Sequence, residues 1–263
     1  MLPPIIDTHC HLTNERFASD RDAVIAAAWD TGVRRCITIG TGIADGRAAR
    51  DLARRFPDRI SCTVGLDPFS GHEAGDSFPD HLRQLDELLT EGGFCALGEI
   101  GLEYFHTLDA HAVQAERLEQ QLELAVRHRL PVVIHVRDAH PDMIACLRRH
   151  PRNRGVIHSF SGGPDEARAY LDLGYHLGFN GMVTFKANEA LRRAAAMVPN
   201  DRLLVETDSP YLAPVPMRGR RCDPAHVLHT LELVAQVRGQ RIEDLAQWTT
   251  RTATLLFALP APA

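Results

Sequence analysis

Lysine is almost missing from this chain of 263 residues: Lys186 stands alone, and every other strongly basic side chain is an arginine. Long apolar runs are missing too. None approaches the roughly 18 residues that a membrane-spanning helix needs, so no membrane span is expected. The opening Met1-Leu-Pro-Pro-Ile-Ile-Asp7 has neither the basic stretch nor the apolar stretch of a secretory leader, and the expected compartment is the cytoplasm. The six cysteines, at 10, 36, 62, 95, 146 and 222, include no Cys-x-x-Cys pair, which excludes a zinc knuckle or a redox couple and predicts six free thiols. Cys36, Cys62 and Cys95 fall in apolar runs and are expected in the core. No Gly-x-Ser-x-Gly nucleophile turn is present, so a serine hydrolase of that type is excluded. Net charge is −5 with histidines neutral, so no global basic field marks the chain as a polyanion binder, and any polyanion has to be captured locally.

What is present is repetition. Apolar runs recur at Ile5–His9, Cys36–Gly40, Ile60–Gly65, Phe94–Glu99, Pro131–His135, Gly155–His158, Tyr175–Phe179 and Leu203–Thr207. They are nearly continuously apolar, as parallel strands covered on both faces must be. Helical patterns separate them, among them Asp22–Trp29 before Gly32, Asp45–Phe56 before Pro57, Ala112–Arg129, and a segment opened by Pro164 and closed by Gly174. Eight strand–helix alternations predict a (β/α)8 TIM barrel over one domain, 1–263, with extra C-terminal helices at Val227–Val237 and Ile242–Phe257. A doubly wound sheet is the architectural alternative. Gly40-Thr-Gly-Ile-Ala-Asp-Gly46 does not support a dinucleotide loop, because its third glycine comes one residue late.

The polar residues that close these runs carry the chemistry. His9 and His11 are two apart, so an extended chain turns both to one side, while Cys10 points away. Glu99 ends the fourth run between two glycines in Leu97-Gly-Glu-Ile-Gly101. His135 and His158 end the fifth and sixth runs, and Asp208 follows the eighth in Val205-Glu-Thr-Asp-Ser-Pro210, beside the first strand once a barrel closes. Four imidazoles and two carboxylates on one rim predict a site for two divalent ions, magnesium, manganese or zinc. Glu99 is the expected bridge, since the lone lysine is too far along the chain to serve as a carboxylated one. A metal-activated water is then the nucleophile, with Asp208 taking its proton.

These segments resemble the TatD family of metal-dependent deoxyribonucleases, among the amidohydrolase-like barrels. The likeness rests on Ile6-Asp-Thr-His-Cys-His11, Ala96-Leu-Gly-Glu-Ile-Gly-Leu102, Pro131-Val-Val-Ile-His-Val-Arg-Asp-Ala139, Val156-Ile-His-Ser-Phe-Ser-Gly162, Leu204-Val-Glu-Thr-Asp-Ser-Pro-Tyr-Leu212 and the basic loop Arg218-Gly-Arg-Arg-Cys-Asp-Pro-Ala225. The resemblance implies hydrolysis of DNA phosphodiesters, often from the 3′ end of single strands, with the six residues above as metal ligands. Arg137, Arg220 and Arg221 suit phosphate contacts, and Phe160 and Tyr211 suit stacking on bases. The chain departs from the family where Gly-x-His-Pro is usual: it has Gly65-Leu-Asp67-Pro68, with His72 a few residues on as a substitute. It also carries Gly101-Leu-Glu103-Tyr104 where the family has aspartate, and Cys222 where the basic loop usually has asparagine. An anionic Asp67 near a phosphodiester leaves open a different bond, such as an aminoacyl ester on RNA or a cyclic amide. A non-enzymatic metal-binding scaffold is a third reading. No feature calls for an obligate protein partner.

Overall fold

The computed structural model describes residues 2–106 and 108–260. The apolar runs form eight strands: β1 Ile5–Cys10, β2 Val33–Thr38, β3 Ile60–Val64, β4 Ala96–Glu103, β5 Val132–Arg137, β6 Gly155–Ile157, β7 His176–Phe179 and β8 Leu203–Val205. They lie in chain order, each parallel to the next. The ring closes between β8 and β1. There the Asp208 N–H donates to the His9 carbonyl at 2.8 Å and the His11 N–H donates to the Ser209 carbonyl at 2.7 Å.

Helices return the chain between strands: α1 Arg21–Asp30, α2 Ile43–Arg55, α3 Pro68–Ala74, α4 Phe78–Glu91, α5 His111–His128, α6 His140–Arg149, α7 Pro164–Asp172 and α8 Glu189–Met197. Then come α9 Val227–Arg238 and α10 Ile242–Leu256. The (β/α)8 barrel with added C-terminal helices is therefore as expected. Among the described residues no helix is long and apolar enough to cross a membrane, and all six cysteines are free.

Two boundaries differ from the sequence reading in ways that matter. β2 begins three residues before Cys36, because Val33 and the buried, hydrogen-bonded Arg35 continue the ladder. β4 runs four residues past Glu99, so Glu99 sits within a strand and not at its end. The flanking glycines explain how. A Cβ on Gly101 would lie 2.0 Å from the His135 carbonyl oxygen, and one on Gly98 would lie 2.6 Å from Val133 Cβ. Any side chain there would push β4 off β5.

The core has two parts. The larger packs the strands' outward residues, such as Ile5, Leu97, Ile134 and Leu203, against the helices. The smaller holds Ile6, Ile37, Ala96, Val133, Val156 and Leu204 with Leu256, Phe257 and Leu259. Alternation along the strands assigns this second set to the barrel interior, with the end of α10 as its floor. Phe257→Ala is expected to cost about 3–5 kcal/mol by opening a cavity in that floor. Urea unfolding of both proteins checks it, and a loss under about 1 kcal/mol would place Phe257 outside the core.

Candidate metal centre

Five strands deliver the six predicted ligands. His9 is in β1 and His11 one residue beyond it; Glu99 is in β4, His135 in β5, His158 just past β6 and Asp208 three residues past β8. Asp208 (φ 59°) and Ser159 (φ 47°) are left-handed. Both are turned where the chain leaves a strand, a conformation non-glycine residues seldom adopt.

The six side chains converge. Glu99 turns its two oxygens to different partners. Oε2 lies 3.4 Å from His9 Nε2 and 3.9 Å from His11 Nε2. Oε1 lies 2.8 Å from both His135 Nδ1 and His158 Nε2. Asp208 Oδ1 is 3.3 Å from His11 Nε2 and 3.6 Å from His9 Nε2. Within each histidine pair the facing nitrogens are 3.3 Å apart. Ligand atoms around one ion at about 2.0–2.2 Å stand at such separations from each other. Facing imidazole nitrogens repel unless a proton or a cation lies between them. The donor set thus fits divalent cations.

The sequence reading missed three carboxylates around this cluster. Glu103 ends β4, with Oε2 3.2 Å from His135 Nε2, and so orients that ring with Nδ1 toward Glu99. Asp7, fully buried, accepts from the Thr207 N–H at 2.9 Å and its hydroxyl at 2.6 Å, tying β1 to the segment that carries Asp208. Glu206 accepts from the Ser159 N–H, and burial raises its pKa well above the usual carboxylate value. Two-residue spacing was the available signal for two of them: Asp7 precedes His9, and Glu206 precedes Asp208, by one strand period.

Residues 6–258 match the family described as TatD related DNase. The chain belongs to the TatD family. Over 262 residues it is 38% identical to YcfH of Escherichia coli K12, named an uncharacterized metal-dependent hydrolase, with 98% of this chain and 97% of YcfH covered. Over 262 residues it is 36% identical to a Pantoea ananatis protein named 3′-5′ ssDNA/RNA exonuclease TatD, with 97% and 100% covered. The crystal structure of YjjV, a TatD homolog from Escherichia coli K12, superposes with a TM-score of 0.91 at 30% identity, covering 97% of this chain and 98% of YjjV. Metal-dependent hydrolysis is the family's chemistry.

A cavity of about 680 Å³ opens over the TatD cluster. Of the residues expected at substrate, Arg137, Tyr211 and Asp67 line it. The Arg137 guanidinium sits 4.9 Å from the Phe105 ring centroid, and Tyr211 is half-exposed, its hydroxyl accepting from Asn14. Asp67 caps α3, accepting from the Ser70 N–H at 3.0 Å ahead of Pro68. That cap is a structural reason for aspartate where the family usually has histidine.

The other four expected residues lie off the cavity wall. Phe160 is buried among His140, Tyr170 and Phe179. His72 faces Asp109 at 3.2 Å. Arg221 grips both oxygens of Asp20, at 2.9 and 2.6 Å, which occupies its fork. Arg220 is exposed in the loop.

Burial, followed by the charge of His158, lowers the His9 pKa to about 4. Burial opposes charge on His11 and His135 as well, but carboxylates overcome it. Asp208 and Glu99 raise His11 to about 9, and Glu103 and Glu99 raise His135 to about 10. Without cations both imidazoles therefore hold protons at pH 7, and a cation must displace them. Affinity for zinc is expected to rise from pH 6 to pH 8 with net proton release. Calorimetry at one pH in two buffers of different ionisation enthalpy measures that release, and zero release would contradict the assigned charges.

Proposed function

We propose that this chain is a divalent-cation-dependent nuclease that removes nucleotides from the 3′ end of single-stranded DNA. One observation carries the reading: the Glu99 carboxylate turns one oxygen to His9 and His11 and the other to His135 and His158. Two ions fit this arrangement, one held by His9, His11, Glu99 and Asp208 and the other by Glu99, His135 and His158. Imidazoles suit zinc, and the carboxylates also admit manganese and magnesium. When bound, the cations supply positive charge at the scissile phosphoryl oxygen and a water acidic enough to attack at neutral pH.

The chain's own residues do the rest. Asp208, with Oδ1 3.3 Å from His11 Nε2, accepts the attacking water's proton and returns it to the leaving 3′ oxygen. The water's oxygen bonds to phosphorus as the bond to that 3′ oxygen breaks. Glu103 keeps His135 oriented. Arg137 offers a guanidinium to a neighbouring phosphate, and Tyr211 and Phe69 present rings at the mouth on which unpaired bases stack. The exonuclease name of the Pantoea relative agrees with this reading.

A second reading has its own observation. Asp67, Glu73 and Glu103 share the wall, where Arg137 is the lone arginine. That balance favours a neutral or cationic substrate, such as an aminoacyl ester on RNA or a small cyclic amide. Digestion of end-labelled single- and double-stranded DNA with magnesium, manganese or zinc separates the two. Shortening of single strands from the 3′ end is expected, with Asp208→Asn reducing the rate by about 100-fold or more, the scale of general acid–base catalysis. Wild-type protein inert on DNA with all three metals, yet active on an ester or amide panel, would move the assignment to the second reading.

A further inference from the structure

At the opposite end of the barrel, a second cavity of about 600 Å³ lies between the N-terminal ends of β6–β8 and one face of α10. Its volume is that of a small-molecule site. Three arginines line it from three separate segments: Arg154 just before β6, Arg202 just before β8 and Arg251 from α10. Arg202 bonds Asp201, at 3.0 Å to the carbonyl and 3.3 Å to the carboxylate. Among the described residues, the guanidiniums of Arg154 and Arg251 have no hydrogen-bond or ion-pair partner. Trp248 lies on the same wall, 38% exposed, with the Arg251 guanidinium 5.7 Å from its ring centroid.

Basic residues gather at this end of such barrels because helix C-termini attract them. That accounts for Arg54, Arg55, Arg148 and Arg149, in the last turns of α2 and α6. It does not account for arginines that precede strands, nor for Arg251 on the wall with Trp248. Three guanidiniums against the Asp201 carboxylate leave a formal +2 in a chain of net charge −5. A phosphate monoester carries about −1.5 to −2 at neutral pH. Guanidinium forks match its oxygens, and an exposed indole takes a flat ring. Carboxylates accept from sugar hydroxyls in nucleotide sites, and Asp201 places one on this wall.

We propose that this N-terminal-face cavity binds a nucleoside monophosphate, with the phosphate on Arg154 and Arg251 and the base against Trp248. The inference does not depend on the reaction proposed above. The chain has two tryptophans, Trp29 and Trp248, so in the full-length metal-loaded Trp29→Phe protein the indole emission reports this cavity alone. Titration with deoxyadenosine monophosphate is expected to quench it saturably, with half-saturation below about 1 mM. Arg154→Ala/Arg251→Ala is expected to raise that value about tenfold or more, a loss of about 1.4 kcal/mol, and to leave hydrolysis at the other end unchanged. Calorimetry on protein retaining both tryptophans, with and without the two arginine changes, gives the same comparison if Trp29→Phe folds poorly. Inorganic phosphate and a triglutamate peptide are the control ligands. The proposal is overturned if deoxyadenosine monophosphate gives no response, if the double variant binds it unchanged, or if either control binds as tightly.

Discussion

A carboxylate buried in a protein has to be answered by positive charge or by donors, and Glu99 is answered from two sides at once. It sits inside a strand, largely buried, with four imidazoles around it. Those contacts hold its pKa well below the usual range, against the burial that would raise it. The rest of the rim is arranged to make this arrangement possible. Glycines 98 and 101 let β4 lie against β5, Glu103 turns His135 toward Glu99, and the left-handed turn at Asp208 brings the second carboxylate across the barrel seam. Cations at this cluster would replace protons already held by imidazoles, so the same residues that stabilise the ionised Glu99 also make metal binding depend on pH.

The fold was legible because its signal repeats. Continuous apolar runs separated by amphipathic segments have few architectural solutions, and single errors at strand ends do not disturb the count. The six converging residues were legible for a related reason: polar side chains that close apolar strands stand out. What sequence could not supply was orientation. Phe160 lies in the loop after a strand as Tyr211 does, yet Phe160 packs into the aromatic layer under α6 and α7, whereas Tyr211 is exposed. Arg221 reads as a phosphate contact until Asp20, two hundred residues away in the chain, is found in its fork. Asp67 reads as a substrate residue, and its cap on α3 becomes visible only with the backbone.

The two ends of the barrel differ in charge as well as in chemistry. The C-terminal mouth gathers carboxylates, and its field becomes attractive to an anion only after cations offset them. The opposite face is arginine-rich without any cation. This separation lets a chain of net negative charge carry a local site for anions.

The floor formed by α10 sets an order on how the molecule is completed. Ile6, Ile37, Val133 and Leu204 are synthesised long before Leu256 and Phe257, which cover them from below. Until α10 is in place those residues have nothing beneath them, and the interior keeps an uncovered greasy opening at one end. Sealing of the interior therefore depends on α10, whose end acts as the stopper.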